Sequence, residues 1–253
     1  MSLRLATTTS TRDSGLLDEL LPAFEKQHNV RVDVIATGTG KALKLGEAGD
    51  VDVVLVHARA AEEAFMETGH GIRREDVMAN TFEIVGPTDD PADVKGSRPS
   101  EALRKIAATK TKFLSRGDDS GTHKRELQLW KNAGGLTPWS EYIETGQGMG
   151  ATLTIADEMQ GYALTDRGTY LRFKSKVDLV PLISGSPEEI PEMANPYGVI
   201  VVNPRKSDAI NAKLANAFID YLISDTAQQK IAKFQVEGEA LFSPVRQPTA
   251  DSR

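Results

Sequence analysis

Along the first eighty residues the spacing of apolar positions switches repeatedly between a period of two and a period near 3.6. Leu3 and Leu5 alternate with polar neighbours and run into a β-favouring Thr stretch, which predicts a short strand. From Asp13 to His28 the residues Leu16, Leu17, Leu20, Leu21 and Phe24 form a helical stripe, and Pro22 inside it predicts a kink or a break into two short helices. "VRVDVIATG" (Val30–Gly38) alternates as a strand and "GKALKLGEAG" follows as a short helix. "VDVVLVHA" (Val51–Ala58) is a nearly continuous apolar run, of the kind a parallel sheet buries on both faces. "RAAEEAFMETG" supplies the next helix, closed by Gly69.

Strands alternating with helices predict an α/β layer architecture. "TFEIVGP" (Thr81–Pro87) is a further strand, and the polar "TDDPADVKGSRPS" after it places a domain crossover near Gly86 to Pro91. A second α/β set follows: helix Ser100–Ala108, strand "KFLSRG", helices Thr122–Ala133 and Met149–Met159, and strands Gly161–Asp166 and Val177–Ile183. "MANPYGVIVVNP" (Met193–Pro204) predicts a return strand between two Asn-Pro breaks. The last helix is expected from Ser207 as N-cap, with Ile210, Leu214, Phe218 and Leu222 on one face. The chain therefore divides into two discontinuous α/β domains joined by two crossover strands: residues 1–86 with 199–253, and residues 87–198.

Composition changes this picture little. The 253 residues are 40% hydrophobic and 26% charged, ordinary for a globular chain. The formal charge of -6 argues against nucleic acid as a partner and against binding to anionic membranes. No apolar run reaches the roughly 18 residues that span a bilayer, so no direct membrane insertion is expected. Without cysteine there is no disulfide and no thiolate metal ligand.

Candidate chemistry gathers where strands hand over to helices. Four segments share small or hydroxylated residues at that point: "TTTSTRDSG" (7–15), "ATGTGKAL" (36–43), "SRGDDSGTHKRE" (115–126) and "TGQGMGATLTIADE" (145–158). Free backbone N–H groups and partial positive charge at a helix start suit an anion, and Ser or Thr adds a donor. Helix capping alone accounts for such residues in any one segment; four in one chain, one beside an arginine, point to a ligand. "GTGKAL" is neither a P-loop, since Ala42 follows Lys41, nor a dinucleotide fingerprint, since Leu43 stands at the third glycine. His28, His57, His70 and His123 lack metal-ligand spacing, no nucleophile elbow is present, and neither a cofactor nor a catalytic residue is expected.

Together, "ATTTSTRDSGLLDELLPAFE", "ATGTGKAL", "SRGDDSGTHKRE" and "ALTDRGTYL" resemble the tungstate-binding proteins of bacterial ABC importers, over Arg4 to about Ser243. The resemblance implies a type II periplasmic-binding-protein fold whose two lobes close on a tetrahedral oxyanion in the cleft between them, and no enzymatic activity. It implies tungstate or molybdate as ligand, held by Thr9, Ser10, Thr39, Arg116, Ser120 and Thr122, with backbone donors from Gly150 and Ala151. It also implies a monomer, an ABC transporter permease as partner, and a periplasmic or extracellular location reached through a leader peptide that this sequence lacks.

Two alternatives remain open at the sequence level. "RGDDSGT" also fits the R-x-D-x-S-G-T pattern of phosphate-binding proteins of the same fold, in which Asp118 would face the ligand. Turned outward to cap the helix or pair with Arg116, it would not repel a dianion. An enzyme using His123 as base near Ser120 lacks an identifiable partner for the imidazole. A regulator's ligand-sensing domain would need a DNA-binding helix pair before the first strand.

Overall fold

The computed structural model describes residues Ser2–Arg246; the end of the first-lobe range, 247–253, lies outside the described residues. The chain forms two compact units. One comprises the chain up to Ala79, Pro196–Gln235 and the stretch from Phe242 onward; the other comprises Asn80–Asn195 and Val236–Leu241.

The first unit opens with β1 (Ser2–Thr8), α1 (Thr9–Asp13), α2 (Leu16–His28), β2 (Arg31–Thr37), α3 (Thr39–Ala48), β3 (Val53–Val56) and α4 (Arg59–Glu67). β1 pairs in parallel with β2, from Ser2↔Arg31 to Thr8↔Thr37, and with β3, from Leu5↔Val53 to Thr7↔Leu55. All four residues of β3 are buried, as its apolar run requires. Pro22 does not break α2. It is exposed, so the Asp18 carbonyl that loses its helical partner lies on the wet face, while Leu16, Leu17, Leu20 and Phe24 bury the other. The break falls earlier, at Gly15, whose φ of 86° ends α1 and starts α2.

The long strand β4 (Gly71–Gly86) carries the chain into the second unit. There follow α5 (Pro99–Thr109), β5 (Phe113–Ser115), α6 (Gly121–Asn132), β6 (Tyr142–Glu144), α7 (Met149–Met159), β7 (Tyr162–Asp166), α8 (Arg167–Phe173) and β8 (Val180–Ile183). β5 pairs in parallel with β6 and β7, and β4 pairs antiparallel with β7 and β8. Phe113, Trp130, Tyr162 and Ile84 centre its core. β6 and α8, three and seven residues long, carry too few positions for periodicity to reveal them.

β9 (Ala194–Val202) returns to the first unit and pairs antiparallel with β3, so that sheet is mixed rather than parallel throughout. α9 (Ala212–Leu222) and α10 (Asp225–Lys233) follow, then the short strands β10 (Gln235–Val236), β11 (Glu239–Ala240) and β12 (Ser243–Pro244). Ser207 does not cap α9. The cap is Asn211, whose side chain accepts from Leu214 N–H at 3.0 Å while its own N–H donates to Asp52 at 2.8 Å. The Ser207 hydroxyl accepts from Ala209 N–H instead.

Candidate functional site

Parallel pairing decides where the donors stand. Because Thr8 lies opposite Thr37 and Thr7 opposite Leu55, the chain leaves β1, β2 and β3 at one edge of the sheet. Helices α1 and α3 and residue His57 all begin there, at the carboxyl ends of strands where open α/β sheets bind ligands.

Thr7 and Thr8 serve the framework. The buried Thr7 hydroxyl donates to the Leu55 carbonyl at 2.7 Å. Thr8 caps α1: its Oγ1 accepts from Thr11 N–H at 3.2 Å and meets the Thr11 hydroxyl at 2.6 Å. Thr9 and Ser10 are exposed as the first two helical residues, so their N–H groups find no partner within the helix. Ser10 Oγ lies 3.1 Å from Thr8 Oγ1 and 3.5 Å from His57 Nε2. The His57 ring stacks on Tyr197, with centroids 4.6 Å apart. Thr39 is half-buried as the first residue of α3, behind Gly38, which supplies no side-chain cap.

In the second unit the same logic operates on β5 and β6. Ser115 lies opposite Glu144, so the turns leading to α6 and α7 leave one edge together. They are tied by Thr145 N–H donating to the Ser115 carbonyl and Gly146 N–H to the Arg116 carbonyl, both at 2.9 Å. Gly117 has φ 61°, and a Cβ there would come within 2.7 Å of Glu144 Cβ, so only glycine allows this approach.

Within the β5–α6 turn, Asp118 is bound inward on its own loop. One carboxylate oxygen pairs with Arg116, and the other accepts from Ser120 N–H at 3.2 Å. Burial opposes the charge on Asp118, but hydrogen bonds from the Ser120 side chain and backbone and from Arg116 outweigh it and hold the carboxyl below its usual range. Asp118 is thus held by donors of its own loop. Ser120 is the N-cap of α6, its hydroxyl oxygen accepting from His123 N–H at 3.3 Å. Thr122, mostly buried, is the second helical residue.

Gly150 and Ala151 occupy the first turn of α7. Thr152 N–H already reaches the Gly148 carbonyl, which leaves the N–H groups of Met149, Gly150 and Ala151 without helical partners. Gly150 packs against Phe173, whose ring would lie 2.4 Å from an added Cβ. The structure therefore gathers Thr9, Ser10 and Thr39 at one strand edge of the first unit. It gathers Arg116, Ser120, Thr122, Gly150 and Ala151 at one strand edge of the second.

Arg167, in the quoted "LTDRG", is committed to structure: it pairs with the buried Glu83 at 2.6 Å and with Glu239 at 2.8 Å. Beneath the β5–β6 edge lies Glu126, which accepts from the Tyr142 hydroxyl at 2.8 Å and Trp130 Nε1 at 3.3 Å. Burial pushes this carboxyl up to about 7 against those hydrogen bonds.

The sequence model of the PBP superfamily domain matches residues 3–226. The chain is 49% identical over 249 residues to the tungstate-binding protein TupA of Peptoclostridium acidaminophilum, covering 96% of this chain and 85% of that protein. To TupA of Campylobacter jejuni it is 41% identical over 238 residues, covering 92% and 87%. The solved structure of the tungstate-binding protein TupA from Desulfovibrio alaskensis superposes with a TM-score of 0.92 at 44% identity, over 97% of this chain and 99% of that one. The tungstate ABC transporter structure from Geobacter sulfurreducens gives 0.80 at 52% identity, over 92% and 98%. With donor-rich strand ends in both units and identity at this level over nearly its whole length, the chain belongs to the TupA family of tungstate-binding proteins within the PBP superfamily.

Proposed function

We propose that this protein captures tungstate, with molybdate as a near-isosteric second ligand, and delivers it to the permease of an ABC importer. The observation that carries this reading is the donor chemistry. Hydroxyls, unpaired helix-start N–H groups and one guanidinium stand at strand ends in both units, and the nearby carboxylate is neutralised by its own loop. Tungstate near neutral pH carries no proton and only accepts hydrogen bonds, so a ligand shell of donors alone fits it. Hydrogen bonds to a charged group contribute about 1.5–3 kcal/mol each. About six to eight of them, less desolvation and ordering, reach the roughly 12 kcal/mol of a nanomolar complex.

In this reading Thr9, Ser10 and Thr39 in one unit, and Arg116, Ser120, Thr122, Gly150 and Ala151 in the other, are the oxyanion donors. The two discontinuous units act as the lobes of a monomeric binding protein outside the cytoplasm, and the role is capture without catalysis. Sulfate is smaller, so the size of the ligand shell rather than its donor count separates it from tungstate.

Isothermal titration of the purified protein with tungstate, molybdate, sulfate and phosphate tests the reading. Tight binding of tungstate and molybdate is expected. Tight phosphate binding would instead support the R-x-D-x-S-G-T pattern as the operative one. Absence of heat and of thermal shift with every oxyanion would overturn the proposal.

A further inference from the structure

Two nitrogen atoms, one in the β5–α6 turn and one in the first turn of α6, are buried without a hydrogen-bond partner among the described residues: Nε of Arg116 and Nε2 of His123. The His123 ring is not free to choose its tautomer. Asp119 N–H donates to Nδ1 at 3.0 Å, so Nδ1 presents its lone pair and the proton of the neutral ring sits on Nε2. The backbone of His123 is fixed as well, through its N–H to Ser120 Oγ at 3.3 Å. Both orphaned atoms are therefore N–H donors, on one short stretch that also holds Ser120 and Thr122.

A buried N–H with no acceptor is unfavourable, and such groups in folded proteins normally have a partner. A stretch that leaves two donors unmatched, and meets its own carboxylate with others, lacks an acceptor that carries no protons of its own. The geometry points to His123 as a further contact to the oxyanion, its Nε2–H donating to an anion oxygen while the Asp119 backbone sets the tautomer. This inference rests on the oxyanion-binding reading above and adds a specificity element to it. Because Nδ1 is already occupied as acceptor, the ring offers nothing to the O–H of a protonated anion such as hydrogen phosphate. It favours a fully deprotonated anion of the tungstate class.

Two substitutions separate this role from a purely structural one. His123→Asn keeps an acceptor near the Nδ1 position for Asp119 N–H and removes the outer donor. His123→Gln removes that acceptor and places an amide N–H near Nε2. Titration with tungstate is expected to show at least tenfold weaker binding for H123N and binding within about threefold of wild type for H123Q, with both proteins folded by thermal melting. The reverse order would assign His123 to holding the turn alone, and wild-type affinity in H123N would likewise overturn the inference. A second readout needs no substitution: nitrogen-15 NMR of the full chain should find His123 protonated at Nε2, with that proton shifting when tungstate is added. A ring protonated at Nδ1, or unmoved by saturating tungstate, would overturn it. Failure of the wild-type protein to bind any oxyanion would bring down the binding reading itself, and this contact with it.

Discussion

At the scale of single residues, charge and donor count decide which side chains matter for the ligand. Arg116 carries the cation of the β5–α6 turn, and its planar fork can meet two oxyanion oxygens. Lys41 lies exposed on the first turn of α3. Arg116→Ala is expected to weaken tungstate binding at least tenfold by calorimetry, and Lys41→Ala to change it less than threefold; equal effects would contradict these roles. Gly150 shows a different constraint. A methyl group there would press on the Phe173 ring, and overpacking of this kind costs about 1–3 kcal/mol. Gly150→Ala should lower the melting temperature, and adding Phe173→Leu should restore part of the loss. The hydroxyl run at Thr7–Ser10 was legible as a donor cluster. The structure divides it where β1 ends: Thr7 and Thr8 hold the framework, and Thr9 and Ser10 are exposed at the start of α1.

At the scale of elements, most strands and helices followed from apolar spacing, and the exceptions have physical causes. Residues 71–80 of β4, "GIRREDVMAN", received no element from the sequence, because charges interrupt their apolar spacing. In the folded chain those charges are paired: Arg74 with Glu62 and Asp76, and Arg73 with Asp220. The pairs with Glu62 and Asp220 join it to residues distant in sequence, which no local spacing shows. The cap of α9 was misplaced for a related reason, since Asn211 gains its anchor from Asp52, far away in the chain. Asn211→Ala is expected to cost about 1 kcal/mol of stability, and Ser207→Ala much less, by denaturant titration. Glu126 gives the β5–β6 layer a pH dependence. Its folded-state value of about 7 exceeds the 4.5 of the free group, chiefly through burial, against hydrogen bonds from Tyr142, Ser115 and Trp130. The folded state thus holds the extra proton between those values, and stability falls as pH rises through that window, by on the order of 3 kcal/mol in total. Thermal melts from pH 5 to 8 should show this decline, and Glu126→Gln should flatten it. A wild-type profile identical to that of the variant would contradict the assignment.

At the scale of the whole molecule, the sequence suggested two discontinuous units from a shift of composition near Gly86 to Pro91 and from two Asn-Pro pairs, whereas in the structure the chain changes unit inside β4, after Ala79, and inside β9, after Asn195. The excursion of Val236–Leu241 into the second unit was not legible, because nothing in six residues of mixed character announces which core they join. There Glu239 meets Arg167 at the start of α8 and Lys174 just past its end. The net charge of -6 means that no bulk field draws an anion in, so an anion would have to be held by local donors. If both donor sets serve one ligand, its binding must stabilise both units at once. A ligand present at about a thousand times its dissociation constant adds roughly 4 kcal/mol to the stability of the state that binds it. Hydrogen–deuterium exchange of the intact chain can locate that gain. Saturating tungstate should slow exchange at Thr9–Thr11 and at the start of α3 in the first unit. It should slow exchange equally at Ser120–His123 and Met149–Ala151 in the second. Protection confined to one group of helix starts would show that a single unit holds the anion and that the other set of donors serves capping alone.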